Sequence, residues 1–118
     1  MGKNQLLGAK GEKLVADFLK AQGYRIIDRN WRIKDGEIDL VALNKSGRIT
    51  FIEVKTRSNQ NFGHPLEAIN KEKALRLQRL ALAWLALNNK FGADYGIDCA
   101  SVLIADGKYE IDYRRSVL

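Results

Sequence analysis

The sequence is poor in several residue types, and each scarcity excludes a class of protein. Its 118 residues include one cysteine, one proline and one histidine. The single cysteine, Cys99, excludes an internal disulfide and is typical of a protein in a reducing compartment. The longest unbroken apolar run, Leu80 to Leu87, is too short to span a bilayer. Because the amino end has no apolar stretch of signal-peptide length, we expect a cytoplasmic protein without a membrane partner.

Positive charge is what the chain has in excess. Twenty Lys and Arg residues against 14 Asp and Glu give a formal net charge of +6. The cations gather in two segments, and such clusters favour a polyanionic partner, most commonly nucleic acid. The segments contain Arg25, Arg29, Arg32 and Lys34, and Lys71, Lys73, Arg76 and Arg79. A solvated basic face without a partner is the alternative that charge alone leaves open.

The periodicity of apolar residues predicts one α/β domain over residues 1–118, with no repeat, linker or second domain. The predicted elements are a helix over 4–22, strands over 24–32, 37–43 and 48–57, a helix over 71–89, and strands over 95–104 and 109–113. Asn70 is expected to cap the second helix, and Asp106-Gly107 to form a hairpin turn between the last two strands. Asp98, inside an apolar strand, has no evident reason in the sequence.

The second and third predicted strands carry acidic residues, which structural strands rarely do. Side chains alternate along a strand, so Glu53 and Lys55 share one face of the third strand. The same rule groups Asp39 with Glu37 and Val41 on the second strand. If the faces that carry Asp39 and Glu53 coincide, two carboxylates and an ammonium group meet at one end of the hairpin.

Two carboxylates with open coordination positions suit a hard divalent cation such as Mg²⁺. A lysine beside them can orient, or help to deprotonate, a water molecule that the ion activates. This combination is typical of a hydrolytic site for phosphodiesters. The alternative is that Glu53 and Lys55 form an exposed ion pair on a half-solvated strand, where it would stabilise little.

Three further polar residues are candidates for the same region. Glu12, at the edge of the apolar stripe of the first helix, is either a surface residue or a site residue aimed at the sheet. Lys73 begins the apolar face of the second helix. It is either a lysine whose ammonium group snorkels to solvent or a residue that extends over the end of the sheet, near the site. His64 lies in a polar loop before Pro65, and we expect it in a turn or at the rim rather than as a metal ligand.

Two glycines, Gly8 and Gly11, flank Glu12 in the first helix. Each lowers helix stability by about 1 kcal/mol relative to alanine. They therefore indicate either a close approach of the helix backbone to a neighbour or a frayed helix start.

The same residues also match a known family. The matching motifs are Gly11-Glu12, Arg29-Asn30-Trp31-Arg32, Gly36-Glu37-Ile38-Asp39-Leu40-Val41, Phe51-Ile52-Glu53-Val54-Lys55-Thr56-Arg57, Phe62-Gly63 with Pro65, and Lys73 with Leu77 and Ala81. They span nearly the whole chain, and on them the sequence is identified as a member of the YraN family of small bacterial proteins. The order of elements, with Asp on the second strand and Glu-x-Lys on the third, resembles the PD-(D/E)XK nuclease superfamily.

This resemblance implies a restriction-endonuclease-like αβββαβ core, in which a mixed sheet is flanked by helices. It implies a Mg²⁺ or Mn²⁺ ion held by Asp39 and Glu53, with Lys55 as a catalytic residue. Glu12 matches the first-helix acid of the archaeal Holliday-junction resolvases, to which the family is similar, and it completes the expected metal ligands. The residues expected to bind nucleic acid are Arg29, Arg32, Arg57 and Lys73.

The function that follows is a metal-dependent endonuclease acting on structured or branched DNA, without a small-molecule cofactor. A homodimer is expected by likeness to the related resolvases. The alternatives are a non-catalytic nucleic-acid-binding module with the same fold, and a protein–protein adaptor in a DNA-processing or membrane-associated complex. Two departures from the family pattern are Gly96-Ile97-Asp98-Cys99, where Arg-Phe-Asp-Val is usual, and Ser116-Val117-Leu118, where Ala-Phe is usual.

Overall fold

The structure is a computed structural model that describes residues 2–58 and 70–117, with the backbone alone for residues 3 and 4. Its elements are α1 (Lys3–Ala21), β1 (Arg25–Ile33), β2 (Gly36–Leu43), β3 (Ile49–Arg57), α2 (Lys71–Leu87), β4 (Tyr95–Ala105) and β5 (Lys108–Arg114). All seven elements occur where the sequence predicts them, and the largest difference is the end of α2, at Leu87 instead of residue 89. Within the described residues, neither helix combines the length and the apolarity needed to cross a bilayer.

The five strands form one mixed sheet in the order β1-β2-β3-β4-β5. β3 and β4 run parallel, because α2 lies between them in the chain and returns it to the same end of the sheet. The other neighbouring strands pair antiparallel. The predicted αβββαβ order and the mixed sheet flanked by helices are therefore confirmed, and β5 extends the sheet.

The two helices cover opposite faces of the sheet, here called the α1 face and the α2 face, and each face has its own apolar cluster. The buried residues on the α1 face are Val15, Ala16, Leu19, Leu40, Ala42, Ile52, Val54, Ala100 and Val102. Those on the α2 face are Ile38, Val41, Ile49, Phe51, Leu77, Leu80, Ala81, Trp84, Leu85 and Ile97. β3 follows the predicted alternation, since Phe51 packs on the α2 face while Ile52 and Val54 pack on the α1 face.

The hairpin turn between β4 and β5 and the cap of α2 have the predicted chemistry. Asp106 (φ 54°) and Gly107 (φ 73°) are both left-handed, as a two-residue type I′ hairpin requires, and they join Ala105 to its partner Lys108. Gly23 (φ 93°) follows the end of α1 and donates its N–H to Lys20 O. The Asn70 side chain caps α2 by accepting a hydrogen bond of 2.9 Å from Lys73 N.

Asp98 fastens the carboxyl-terminal segment to β4. Its side chain is buried and accepts hydrogen bonds from Tyr113 Oη (2.6 Å) and from Ser116 N (2.8 Å). Val117 N donates to Ile97 O on the same strand (2.9 Å). A buried carboxylate is tolerated when it is hydrogen-bonded in this way, which explains an acid inside an apolar strand.

Candidate active site

The candidate site lies where β2 and β3 separate. The register between these strands ends with Leu40 opposite Ile52. One residue before Leu40, the Asp39 side chain takes the place of a ladder partner, because Val54 N donates a hydrogen bond of 2.8 Å to Asp39 Oδ2. A side-chain oxygen thus satisfies a backbone donor that the diverging strands leave unpaired.

Asp39 does not lie on the face of the sheet that simple alternation predicts. Ile38 packs on the α2 face, whereas Leu40, two residues later, packs on the α1 face. Residues two apart on a regular strand share a face, so β2 rotates about its axis between these positions. Asp39 lies within the rotated stretch, and its carboxylate is held in the plane of the sheet by β3. The predicted grouping of Asp39 with Val41 on one face is therefore wrong.

Three carboxylates converge at this point. Glu12 from α1 and Glu37 and Asp39 from β2 each offer an oxygen, and these oxygens all lie within 4.8 Å of one another. Glu53 is not a member of this group, although its charge acts on both Glu12 and Asp39. The structure thus brings the predicted acids to one end of the sheet and adds Glu37 to them.

Burial and mutual repulsion perturb the acids. Burial, and then the charge of Glu53, raise the pKa of Asp39 from 3.8 to about 7, although the hydrogen bond from Val54 N opposes the shift. Burial, and then the charge of Glu37, also raise the pKa of Glu12. Carboxylates so close together are stabilised in the ionised form by a cation between them. Their oxygen donors suit Mg²⁺ or Mn²⁺, so the residues present fit the ion that the resemblance implies.

Two lysines share the fourth acid, Glu53. Its Oε1 lies 3.5 Å from Lys55 Nζ, on the same strand, and 3.5 Å from Lys73 Nζ, at the start of α2. The Glu53 and Lys73 side chains are only 12% and 15% exposed, so Lys73 belongs to the interior of the site rather than to the protein surface. Burial, and then the neighbouring Lys55, lower the pKa of Lys73.

The other predicted nucleic-acid contacts lie around the acids. Arg32 Nη2 lies 2.7 Å from Glu37 Oε2, and its side chain is 75% exposed. Arg29 is exposed, and its charge lowers the pKa of Glu12, against the dominant effect of burial. Arg57 is half-buried at the end of β3. His64 and Pro65, and the motif Phe62-Gly63, lie outside the described residues.

Asn30 on β1 connects the acids. The oxygen of its amide would face only acceptors if it pointed to the carboxylates, so the amide is assigned with its nitrogen towards them. In this orientation Nδ2 donates to Glu12 Oε1 (2.7 Å) and to Glu37 Oε1 (3.0 Å).

Comparison with known proteins places the chain in a family. Residues 11–106 match the profile of the uncharacterised protein family UPF0102. The chain belongs to the UPF0102 family. This is the YraN family, so the identification made from the sequence motifs is confirmed. The matched range contains Glu12, Asp39, Glu53, Lys55 and Lys73.

Relatives within UPF0102 cover nearly the whole chain. A UPF0102 protein of Leifsonia xyli subsp. xyli is 47% identical over 106 residues, which are 89% of this chain and 88% of the relative. A UPF0102 protein of Beutenbergia cavernae is 41% identical over 118 residues, or 99% of each chain. Among solved structures, this chain is similar to the crystal structure of a repair endonuclease from Pyrococcus abyssi. That similarity has 16% identity and a TM-score of 0.48, and it covers 85% of this chain and 38% of the other.

Sequence reasoning did not assign Glu37 or Asn30 to the site of this UPF0102 protein. Glu37 had a detectable signal, because it lies two residues before Asp39 on a strand. Asn30 belongs to the Arg-Asn-Trp-Arg motif, but its link to the acids depends on contacts between separate elements. Neither residue could be assigned a partner before the strands were in register.

The packing of α1 on β3 sets the position of Glu12. A Cβ atom added at Gly11 would lie 2.8 Å from Thr56 Cβ and 2.9 Å from Thr56 Cγ2, and would meet Thr56 Oγ1 more closely still. Backbone therefore packs directly against a β-branched side chain, one residue from Glu12. At Gly8 the added atom would meet nothing within 4 Å.

The two glycines give opposite predictions for the same substitution. Gly8→Ala is expected to raise the free energy of unfolding by about 0.5–1 kcal/mol, because alanine favours the helix. Gly11→Ala is expected to lower it by about 1–3 kcal/mol, because α1 must move away from Thr56. Urea unfolding of both variants measures the difference. Equal stabilisation by both would show that α1 does not pack closely on β3 at Gly11.

Proposed function

We propose that this chain is a Mg²⁺- or Mn²⁺-dependent endonuclease that hydrolyses phosphodiester bonds in structured or branched DNA. The observation that supports it most is the position of Asp39 between the diverging strands. From there its carboxylate is within the influence of Glu12 on α1 and of Glu53 on β3. The preference for branched DNA rests on the likeness to the archaeal resolvases.

The hydrogen bonds that each acid already accepts indicate which acids would hold the ion. Among the described residues, Glu37 accepts a bond at each oxygen, from Arg32 and from Asn30. Glu12 accepts a hydrogen bond at Oε1 and Asp39 accepts one at Oδ2. The second oxygen of each carboxylate accepts no hydrogen bond from the described residues, so it is available to a metal ion. Asp39 and Glu12 would therefore hold the ion, with Glu53 completing the negative site and Glu37 supporting it. The bound ion would supply Lewis acidity and neutralise charge on the phosphate.

The lysines supply the groups that act on the attacking water and the phosphate. Glu53 holds the Lys55 ammonium group at the site, where it can orient a water molecule and stabilise negative charge as the phosphodiester is attacked. Lys73, at the start of α2, brings a second ammonium group to the same carboxylate. Both groups are partly shielded from water, which strengthens their effect on a developing charge.

Arginines around the site would bind the DNA backbone. Arg29 and Arg32 are exposed on β1, next to the acids, and Arg57 ends the strand that carries Glu53 and Lys55. Contacts to phosphate position a nucleic acid without reading its sequence. Together with the net charge of +6, they support binding that weakens as salt concentration rises.

Incubation of the purified protein with a four-way junction and with a linear duplex of the same sequence tests the proposal. We expect cleavage of the junction with Mg²⁺ or Mn²⁺, none with EDTA, and none by the Asp39→Ala/Glu53→Ala double variant. Lys13→Met, a change in an exposed ion pair on α1, is the control that should cleave normally. Cleavage that survives in the double variant would come from a contaminant. Tight DNA binding without Mn²⁺ binding or cleavage would instead identify a non-catalytic binding module.

A further inference from the structure

Asn30 contacts the acidic group without contributing a charge to it. Its amide nitrogen carries two hydrogens, and each is directed to a different carboxylate, Glu12 at 2.7 Å and Glu37 at 3.0 Å. Hydrogen bonds to an ionised carboxylate favour the ionised form. The bond from Asn30 accordingly opposes the rise in the pKa of Glu12, for which burial is the main cause. The amide therefore holds together two acids that would otherwise repel each other.

The backbone of Asn30 is adapted to this contact. Its φ of 50° is in the left-handed region, although the residue lies in the middle of β1. Few residue types other than glycine adopt this conformation readily, and asparagine is one of them. In the register with β2, Asn30 falls between the pairs Arg29–Leu40 and Trp31–Ile38, at the level of Asp39. The irregular backbone thus occurs where β2 rotates.

Arg32, which lies outside the group of acids, holds one of the two acceptors of the Asn30 amide in place. Glu37, the second acceptor of the amide, is fixed by Arg32 at 2.7 Å, and these two residues are direct partners in the β1–β2 register. A continuous set of hydrogen bonds runs from Arg32 through Glu37 and Asn30 to Glu12. Glu12 is the acid from α1, so this set links the helix to β1 and to β2, the strand that carries Glu37 and Asp39.

We infer that Asn30 is a positioning residue of the metal centre, whose amide holds the Glu12 carboxylate beside Asp39 and so prepares it to bind the ion. The inference rests on the proposed function, because it assumes that the acids bind a divalent cation. Partners that orient metal ligands typically change metal affinity by about 10–100-fold when they are removed. Asn30 would act through Glu12 and would not touch the ion or the DNA.

Asn30→Gly tests the side chain apart from the backbone, because glycine adopts the same positive φ without strain. Calorimetric titration with Mn²⁺ alone is expected to show about 10–100-fold weaker binding than the wild-type protein. In a Glu12→Ala background the same substitution is expected to change Mn²⁺ affinity little, because its target is gone. A merely structural role would lower affinity in both backgrounds.

The outcomes separate the inference from the proposed function. If the wild-type protein binds no Mn²⁺, the metal-dependent activity is refuted. If the wild type binds Mn²⁺ and Asn30→Gly binds it equally well, or if the loss persists in the Glu12→Ala background, the positioning role is overturned.

Should Asn30→Gly fail to fold, Asn30→Asp provides the measurement. Aspartate also tolerates the backbone conformation, but it places a negative charge between two acids. The melting temperature of this variant in EDTA is expected to fall below that of the wild type, and an unchanged value would refute the contact.

Discussion

Asp39→Asn is expected to abolish cleavage and, in the absence of metal, to make the protein more stable at neutral pH. The variant loses the charge that would hold the proposed ion, but keeps an oxygen that can accept the hydrogen bond from Val54 N. A pKa raised from 3.8 to about 7 means that the ionised side chain destabilises the metal-free fold. At about 1.36 kcal/mol per pH unit, the full effect is at most about 4 kcal/mol.

The pH dependence of this effect has a definite sign. Between about pH 4 and pH 7 the folded protein keeps a proton on Asp39 that the unfolded chain has released. The contribution of Asp39 to the free energy of unfolding therefore falls as pH rises through this window, and it is constant above it. Asparagine makes no such contribution. Urea unfolding in EDTA at pH 5 and pH 8 is thus expected to show a larger gain for the variant at pH 8.

Addition of Mn²⁺ is expected to narrow the difference in stability between the two proteins. A ligand that binds only the folded state stabilises it, by about 2.7 kcal/mol at a hundred times its dissociation constant. We expect this rise in the wild type and not in Asp39→Asn. The same pH dependence of unfolding in both proteins would contradict the perturbed Asp39, and a Mn²⁺-induced rise in both would place the ion elsewhere.

The second large effect concerns the two lysines at Glu53. Lys55→Met is expected to slow cleavage by about 10²–10⁴-fold, the usual contribution of a group that assists proton transfer. The fold should persist, because Lys73 Nζ still lies 3.5 Å from Glu53 Oε1. In Lys55→Met/Lys73→Met the carboxylate, 12% exposed, has neither ammonium partner. Removing the partner of a buried charge typically destabilises by about 3–5 kcal/mol.

A double-mutant cycle on Lys55 and Lys73, with unfolding free energies measured in EDTA, tests whether the two lysines share Glu53. The loss of unfolding free energy in the double variant should exceed the sum of the single losses by about 1–3 kcal/mol. Lys13→Met is again the matched control, because Lys13 pairs with Asp17 at 2.8 Å in solvent, with a side chain 73% exposed, and should change stability by less than about 0.5 kcal/mol. Additive losses would show that the two lysines do not share Glu53.

Local patterns predicted the elements well, since apolar periodicity reflects burial. The stripe on α2 left Lys73 either as a snorkelling lysine or as a residue near the site, and the contact with Glu53 favours the second interpretation. Alternation on β3 located Glu53 and Lys55 on one face. The same rule failed at Asp39, because it assumes a regular strand. The rotation of β2 there depends on contacts with β1 and β3, and the left-handed Asn30 on β1 accompanies it. Glu37 was visible as an acid near Asp39, but its role depends on Arg32 and Asn30 as partners.

Because Asp39 lies in the plane of the sheet, the candidate site can include residues from the helices on both faces. Glu12 reaches it from one helix and Lys73 from the other, so neither half of the molecule carries a working set of groups. A chain in which one helix has not yet packed on the sheet would lack either Glu12 or Lys73 at the candidate site. If the proposed endonuclease activity is correct, hydrolysis would require both helices to be packed on the sheet, whereas binding of DNA by the arginines would not.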